Sequence, residues 1–110
     1  MLGRDLMDAK QLRLSRHTLR ALKMMLEKPL TPYSGAEIAR SITVGAGTIY
    51  PLLQRLENAG WVKSHWEKVD PVEEGRPRRR LYKLTGRGQT EALKALAEFQ
   101  LPAGELAWAR

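Results

Sequence analysis

The chain has 110 residues, no cysteine, and 19 lysines and arginines against 12 acidic residues, a formal charge of +7. That length suits one domain, which buries roughly 60–68% of its unfolded surface and so holds a small core without covalent support. The absence of cysteine excludes disulfides and thiolate metal sites, and the basic excess favours a polyanionic partner, nucleic acid before an anionic membrane surface.

The first expected element is a short helix over residues 4–13, with Leu2, Leu6, Ala9 and Leu12 near one face. Ser15 or Thr18 can cap a second helix running to about Lys28, in which Leu19, Leu22, Met25 and Leu26 keep the 3–4 spacing of a buried stripe. Pro29 and Pro32 end it, because proline lacks an amide donor and disfavours helix in the residue before it. Ser34 is a good cap for a third helix from Gly35 to Ile42, and Glu37 three residues on completes a capping-box spacing.

Residues 43–47 form a turn. The next helix starts near Gly47 or Thr48, where Pro51 still fits its first turn, and it places Ile49, Leu52, Leu53 and Leu56 on one stripe. Gly60 is its expected left-handed terminator. From Trp61 to Glu67 the pattern alternates as a strand, with Val62, Ser64 and Trp66 on one side. Residues 69–77 read as a loop, and Arg80, Tyr82 and Leu84 share one face of the returning strand. Thr85 can cap a last helix from about Arg87 to Gln100, with Leu93, Leu96, Ala97 and Phe99 apolar, before Pro102 breaks the pattern.

Four helices, two strands and a helix make a mainly α fold with a two-stranded β-hairpin. Two strands alone are marginal, so the hairpin must pack on the helices. This is the order of a winged helix-turn-helix. Residues 1–14 then form an N-terminal helix that can contribute to a dimer, residues 15–86 the winged unit, and residues 87–110 a C-terminal helix and tail.

Charge follows the same division. Residues 29–60 carry two basic and two acidic groups, whereas residues 61–110 carry ten and seven. Arg76, Arg78, Arg79, Arg80, Lys83 and Arg87 put six cations into twelve residues, around a Gly75/Pro77 turn. Such a tip can lie along a minor groove, whose potential attracts arginine. Strand alternation points Arg78 and Arg80 one way and leaves Arg76 and Arg79 to be placed separately. A solvated wing neutralised in part by Glu73 and Glu74 is the competing account. In the helix from residue 47, Ala46, Gly47, Thr48, Tyr50, Gln54 and Arg55 form the outward set. Its small leading end lets free amides approach a phosphate, and the longer side chains reach base edges or backbone. Tyr50 lies off the buried stripe and is expected to face DNA rather than cover the core.

Other chemistry finds little support. Gly45-Ala46-Gly47-Thr48 lacks the preceding strand and the Gly-Lys-Ser/Thr ending of a nucleotide-phosphate loop. No serine has a base at a recognisable spacing, and His17 and His65 lie far apart without an acidic pair, so neither catalysis nor a metal or other cofactor is expected. No apolar run approaches the roughly 18 residues of a membrane span, and no signal-peptide core follows Met1, so a cytoplasmic protein is expected. Trp61 and Trp66 are expected in the packing between hairpin and helices, and Trp108 is a candidate ligand or partner contact.

The run Gly47-Thr48-Ile49-Tyr50-Pro51-Leu52-Leu53-Gln54-Arg55-Leu56-Glu57-Asn58-Ala59-Gly60-Trp61-Val62 resembles the signature of PadR-like transcriptional regulators. The segment Gly75-Arg76-Pro77-Arg78-Arg79-Arg80-Leu81-Tyr82-Lys83-Leu84-Thr85 resembles that family's wing, and with the Gly35–Ile42 helix the likeness covers about residues 19–90. The resemblance implies a homodimeric repressor that reads an inverted repeat in double-stranded DNA, is often relieved by a small-molecule inducer, and touches DNA with Tyr50 and the Thr48 end of the recognition helix. The family dimerises through a long C-terminal helix, which Pro102 here cuts to about fourteen residues. Leu93, Leu96 and Phe99, together with Leu2, Leu6 and Ala9, are therefore the expected dimer contacts. The alternative function is a winged-helix interaction module whose basic wing docks on an acidic protein.

Overall fold

The computed structural model describes residues 14–99. The expected N-terminal helix with Leu2, Leu6, Ala9 and Leu12, and also Gln100 and Trp108, lie outside the described residues. In chain order the elements are α1 (Arg16–Glu27), β1 (Tyr33–Ser34), α2 (Gly35–Ile42), α3 (Ala46–Asn58), β2 (Val62–Trp66), α4 (Pro71–Glu74), β3 (Arg80–Leu84) and α5 (Gly86–Glu98).

Local chemistry explains most of these boundaries. Ser15 caps α1 by accepting from the Thr18 amide at 3.2 Å. At α2 the capping box is complete: Ser34 Oγ accepts from the Glu37 amide at 3.1 Å, and Glu37 Oε1 accepts from the Ser34 amide at 2.9 Å. Such reciprocal bonds satisfy two amides that have no helical partner. The last turn of α3 closes with the Gly60 amide on the Glu57 carbonyl and the Trp61 amide on the Leu56 carbonyl, while Gly60 takes a φ of +80°. This is the double bond pattern of a left-handed helix stop, and it turns the chain directly into β2. The turn between α2 and α3 closes in the same way, but with Thr43 in the left-handed position at φ 58°.

Three features differ from the sequence expectation. Helix α3 begins at Ala46, earlier than Gly47 or Thr48, and so holds Pro51 inside it. Because proline has no amide, the Gly47 carbonyl lacks its helical partner there. The sheet has a third strand: β1 pairs antiparallel with β3, Tyr33 opposite Tyr82, and the order is β1-β3-β2. The pieces on either side of Gly75 also differ, since residues 71–74 form a helical turn capped by Asp70, with Gly75 left-handed after it.

The core lies where α1, α2, α3 and α5 meet the sheet. Leu22 and Met25 of α1, Ile38 and Ile42 of α2, Ile49, Leu53 and Leu56 of α3, and Val62 of β2 are fully buried. Burying each such side chain stabilises the fold by about 1.5–3 kcal/mol, and together they fix α2 and α3 against each other. Helix α5 turns its small residues inward: Gly88, Ala92 and Ala95 are buried, whereas Leu93 and Phe99 are exposed. The Gly88 face lies so close to Trp61 that a Cβ there would collide with the Trp61 carbonyl. Thr85 reinforces the junction, its hydroxyl donating to the Gly60 carbonyl at 2.7 Å and its amide to the Trp61 carbonyl at 3.0 Å. One knot of backbone therefore joins the end of α3, the start of β2 and the start of α5.

Candidate nucleic-acid interface

Helix α3 is buried along Ile49, Leu52, Leu53 and Leu56, which leaves the opposite face in solvent. Ala46, Gly47, Thr48, Tyr50, Gln54 and Arg55, the outward set expected from the pattern, are all exposed. Whereas Ser15, Ser34 and Thr85 cap α1, α2 and α5 with their side chains, Gly45 gives α3 no side-chain cap. Nothing lies within 4 Å of the space a Cβ would take at Gly45 or Gly47. The leading end of α3 is thus sterically open, with the positive end of the helix dipole directed there. Further along, Gln54 donates to Asn58 across one turn at 2.9 Å, which holds its amide on the exposed face.

Tyr50 is partly packed and partly exposed. Its ring packs on the first residue of α2, where a methyl on Gly35 would meet Cε1 at 2.5 Å. It remains 47% exposed.

The four wing arginines separate by partner. Arg76 forks onto Glu67, Nη1 to Oε1 at 2.7 Å and Nη2 to Oε2 at 3.2 Å, and Glu74 lies 3.8 Å away. Glu67 Oε1 also accepts from the Arg79 amide at 2.8 Å, and the Glu67 amide donates to the Arg79 carbonyl at 2.9 Å. The Arg76 guanidinium and then the Arg79 amide hold the Glu67 carboxyl well below its ordinary value, at about 2, and Glu67 in turn pushes Arg76 up. Arg78 donates from Nε to the Val69 carbonyl at 2.9 Å. Arg80 donates from Nε to Ser64 at 2.9 Å, approaches Glu57 of α3 at 3.9 Å, and lies 5.3 Å from the centre of the Trp66 ring. Ser64 donates to Glu57 at 2.6 Å and closes the network. Burial raises the Tyr82 hydroxyl above its ordinary value, with nearby Arg80 opposing. Arg79 is exposed and, unlike the other three, makes no side-chain hydrogen bond or ion pair among the described residues, although its charge helps to lower the Glu67 carboxyl.

Arg78 and Arg80 therefore do not act as the pair that strand alternation suggests. Arg80 turns back to α3 and Arg78 turns across the wing. Trp61 is in the core, as expected, but Trp66 is 56% exposed instead of packed between hairpin and helices. Its strand partner is Arg80, at the end of the ladder.

These pieces enclose a cleft of about 540 Å³, bordered by Gly35 at the start of α2, Tyr50 of α3, Trp66 of β2 and Arg78, Arg79 and Arg80 of the wing. Of the outward set of α3, Tyr50 shares this cleft with the wing arginines, whereas Ala46, Gly47, Thr48, Gln54 and Arg55 do not line it. Among the described residues no group of His, Asp or Glu could hold a metal ion, and no helix is long and apolar enough to cross a membrane. On α5, Leu93 (61%) and Phe99 (44%) stand exposed and Leu96 is half-buried, which leaves an apolar face without a partner in the described chain.

The profile of the transcriptional regulator PadR-like family matches residues 26–94, which takes in β1 to β3, the larger part of α5 and all of the cleft. Comparison with curated proteins returned no match. Among solved structures, AbfR of Staphylococcus epidermidis superposes with a TM-score of 0.65 at 25% identity, over 86% of this chain and 60% of that one. Reduced AbfR bound to DNA gives 0.62 at 24% identity over 96% and 72%. The S. aureus MepR–DNA complex gives 0.63 at 15% over 88% and 73%, a likeness of fold. The chain spans about three-fifths of the length of the first of these relatives.

Proposed function

The chain belongs to the PadR-like family of transcriptional regulators rather than to an enzyme family, and on that premise we propose that it is a sequence-specific DNA-binding repressor. Helix α3 enters the major groove with Ala46, Gly47, Thr48 and Tyr50 leading and with Gln54 and Arg55 reaching base edges or backbone. The wing follows the adjacent backbone with Arg78 and Arg79, while Arg76 and Arg80 hold its shape. The observation that carries this reading is the common cleft, because it brings Tyr50 of the recognition helix and the wing arginines onto one surface. Structural relatives solved with DNA support the same use of the fold.

The repressor works as a homodimer in the cytoplasm, occluding a promoter at an inverted repeat. The face of α5 with exposed Leu93 and Phe99 and half-buried Leu96 supplies one dimer contact, with Leu2, Leu6 and Ala9 as further candidates. A small-molecule inducer releases it, with Trp108 as a candidate contact. Selection of bound sequences from a random duplex pool tests the proposal. An inverted repeat with half-sites about 34–36 Å apart supports it, and steep loss of binding with salt is expected from several phosphate contacts. Recovery of no common sequence, with a flat salt response, would favour a module that docks its basic wing on an acidic protein.

A further inference from the structure

An exposed tryptophan on a small basic domain calls for an account. Trp66 ends β2 opposite Arg80, and the indole is 56% exposed although five residues earlier Trp61 is only 6% exposed. Arg80 lies over the ring at 5.3 Å and is itself tied to Ser64 and Glu57, so the indole is held in place from one side. Tyr50, the other large exposed aromatic of this surface, borders the same cleft, and Arg78 and Arg79 form its rim. The cleft lining thus combines aromatic rings with guanidinium groups. A DNA strand offers the complementary pair, the apolar carbons of each deoxyribose and the anionic phosphates beside them. Half or more of protein–DNA hydrogen bonds go to this backbone, which positions a protein without reading sequence.

We propose that the cleft between Tyr50 and the wing seats one stretch of DNA sugar–phosphate backbone, with the Trp66 indole against a deoxyribose and Arg79 on a flanking phosphate. This rests on the DNA-binding function proposed above and adds a contact that no charge pattern reveals. An apolar ring contributes by burial and not by releasing counterions. Trp66 therefore affects affinity equally on every sequence and does not change its salt dependence. Arg79 behaves in the opposite way, since loss of one phosphate contact makes the slope of log affinity against log salt shallower by about 0.9.

The test uses the full chain and a short fluorescein-labelled random-sequence duplex, titrated by anisotropy over a range of salt. Trp66→Ala is expected to weaken binding about tenfold at unchanged slope, the effect of exposing one large apolar side chain. Trp66→Phe keeps a ring and is expected to lose less, and Arg79→Ala to flatten the slope. Acrylamide quenching, compared between the unaltered chain and Trp66→Phe to isolate this ring among the three tryptophans, should show Trp66 shielded once DNA is added. That measurement stands even where Trp66→Ala fails to fold by circular dichroism. Folded Trp66→Ala binding within about twofold of the unaltered chain, or no shielding of Trp66 by DNA, overturns the contact while leaving the DNA-binding function intact. So does a slope that flattens as in Arg79→Ala, since the ring would then act only by holding Arg80. An unaltered chain that binds no duplex overturns both.

Discussion

Arg76 grips both carboxylate oxygens of Glu67, and the amide of Arg79 shares one of them. This clamp closes the base of the wing tip between β2 and β3, and it uses one arginine of a cluster that looks uniformly available for DNA. Its pH dependence follows from the Glu67 carboxyl, lowered in the folded chain from an ordinary 4.5 to about 2. A group with a depressed folded value stabilises the fold above its unfolded value, and that contribution is lost as pH falls through the folded one. The clamp should therefore be intact above about pH 4.5 and loosen progressively toward pH 2. Carbon-13 NMR of the Glu67 carboxyl should show it titrating well below the ordinary 4.5, and Glu67→Gln should speed amide exchange at Arg79. Titration of Glu67 at its ordinary value would refute the clamp.

Gly88 and the Trp61 carbonyl set a second prediction. The start of α5 presses against the start of β2 with no room for a Cβ, and the obstacle is backbone that cannot rotate away. Gly88→Ala should cost at least about 1–3 kcal/mol, as overpacking does, seen as a drop in the denaturant midpoint. Gly86, on the same helix, has nothing within 4 Å of its Cβ position. Gly86→Ala should be neutral or stabilise by up to about 1 kcal/mol. Equal effects at the two positions would show that the close approach does not exist.

Much of this architecture is legible in the chain because its signals are local. Ser34 with Glu37, the stripe Ile49/Leu52/Leu53/Leu56 and the stop at Gly60 each depend on residues within a few positions. What escapes sequence reading depends on partners far along the chain or on size alone. Strand β1 has only two residues and no period to detect, and its hydrogen bonds are supplied by β3, some fifty residues later. The partition of the arginines needs Glu67 and Val69, each nine residues from its arginine across the wing. In α5 the inward face is made of Gly88, Ala92 and Ala95, with Gly88 pressed against Trp61 far back along the chain. Their spacing of four and three was a readable sign of a close-packed face. Asp70 before Pro71 was likewise a usable start signal for α4.

Thr43 supplies a third prediction. It occupies the left-handed region at φ 58°, closing α2 so that α3 can turn away. A β-branched residue pays a steric cost there, about 1–2 kcal/mol, that glycine avoids. Glycine loses part of the gain through its freer unfolded chain. Thr43→Gly should still stabilise the fold by a net of up to about 1 kcal/mol, seen as a raised melting temperature. Destabilisation by this change would mean that the Thr43 methyl or hydroxyl makes a compensating contact.

The apolar face of α5 bears on the assembly. Leu93 and Phe99 are exposed beside half-buried Leu96, while the inward face is complete without them. Leu93→Asp together with Phe99→Asp should therefore leave the fold of the monomer intact by circular dichroism and shift sedimentation toward the monomer. Affinity for an inverted repeat should fall more than affinity for a single half-site. A double variant that sediments as the unaltered chain does would rule out this face as the contact of the proposed dimer.

Gly35 and Tyr50 join the scaffold to the proposed reading surface. The ring of Tyr50 rests on the first residue of α2, and only the missing side chain at Gly35 lets it do so. A methyl there would come within 2.5 Å of Cε1, but Tyr50 is 47% exposed and its ring can swing outward. The cost therefore falls on the orientation of Tyr50 more than on stability. Gly35→Ala should change the unfolding midpoint little, since an alanine near a helix start also gains about 0.5–1 kcal/mol of intrinsic preference. DNA affinity should fall nonetheless, toward that of Tyr50→Ala, and the double variant should be no worse than Tyr50→Ala alone. Such non-additivity is the mark of residues acting through one contact. Additive losses in the double variant would show that Gly35 and Tyr50 meet DNA independently.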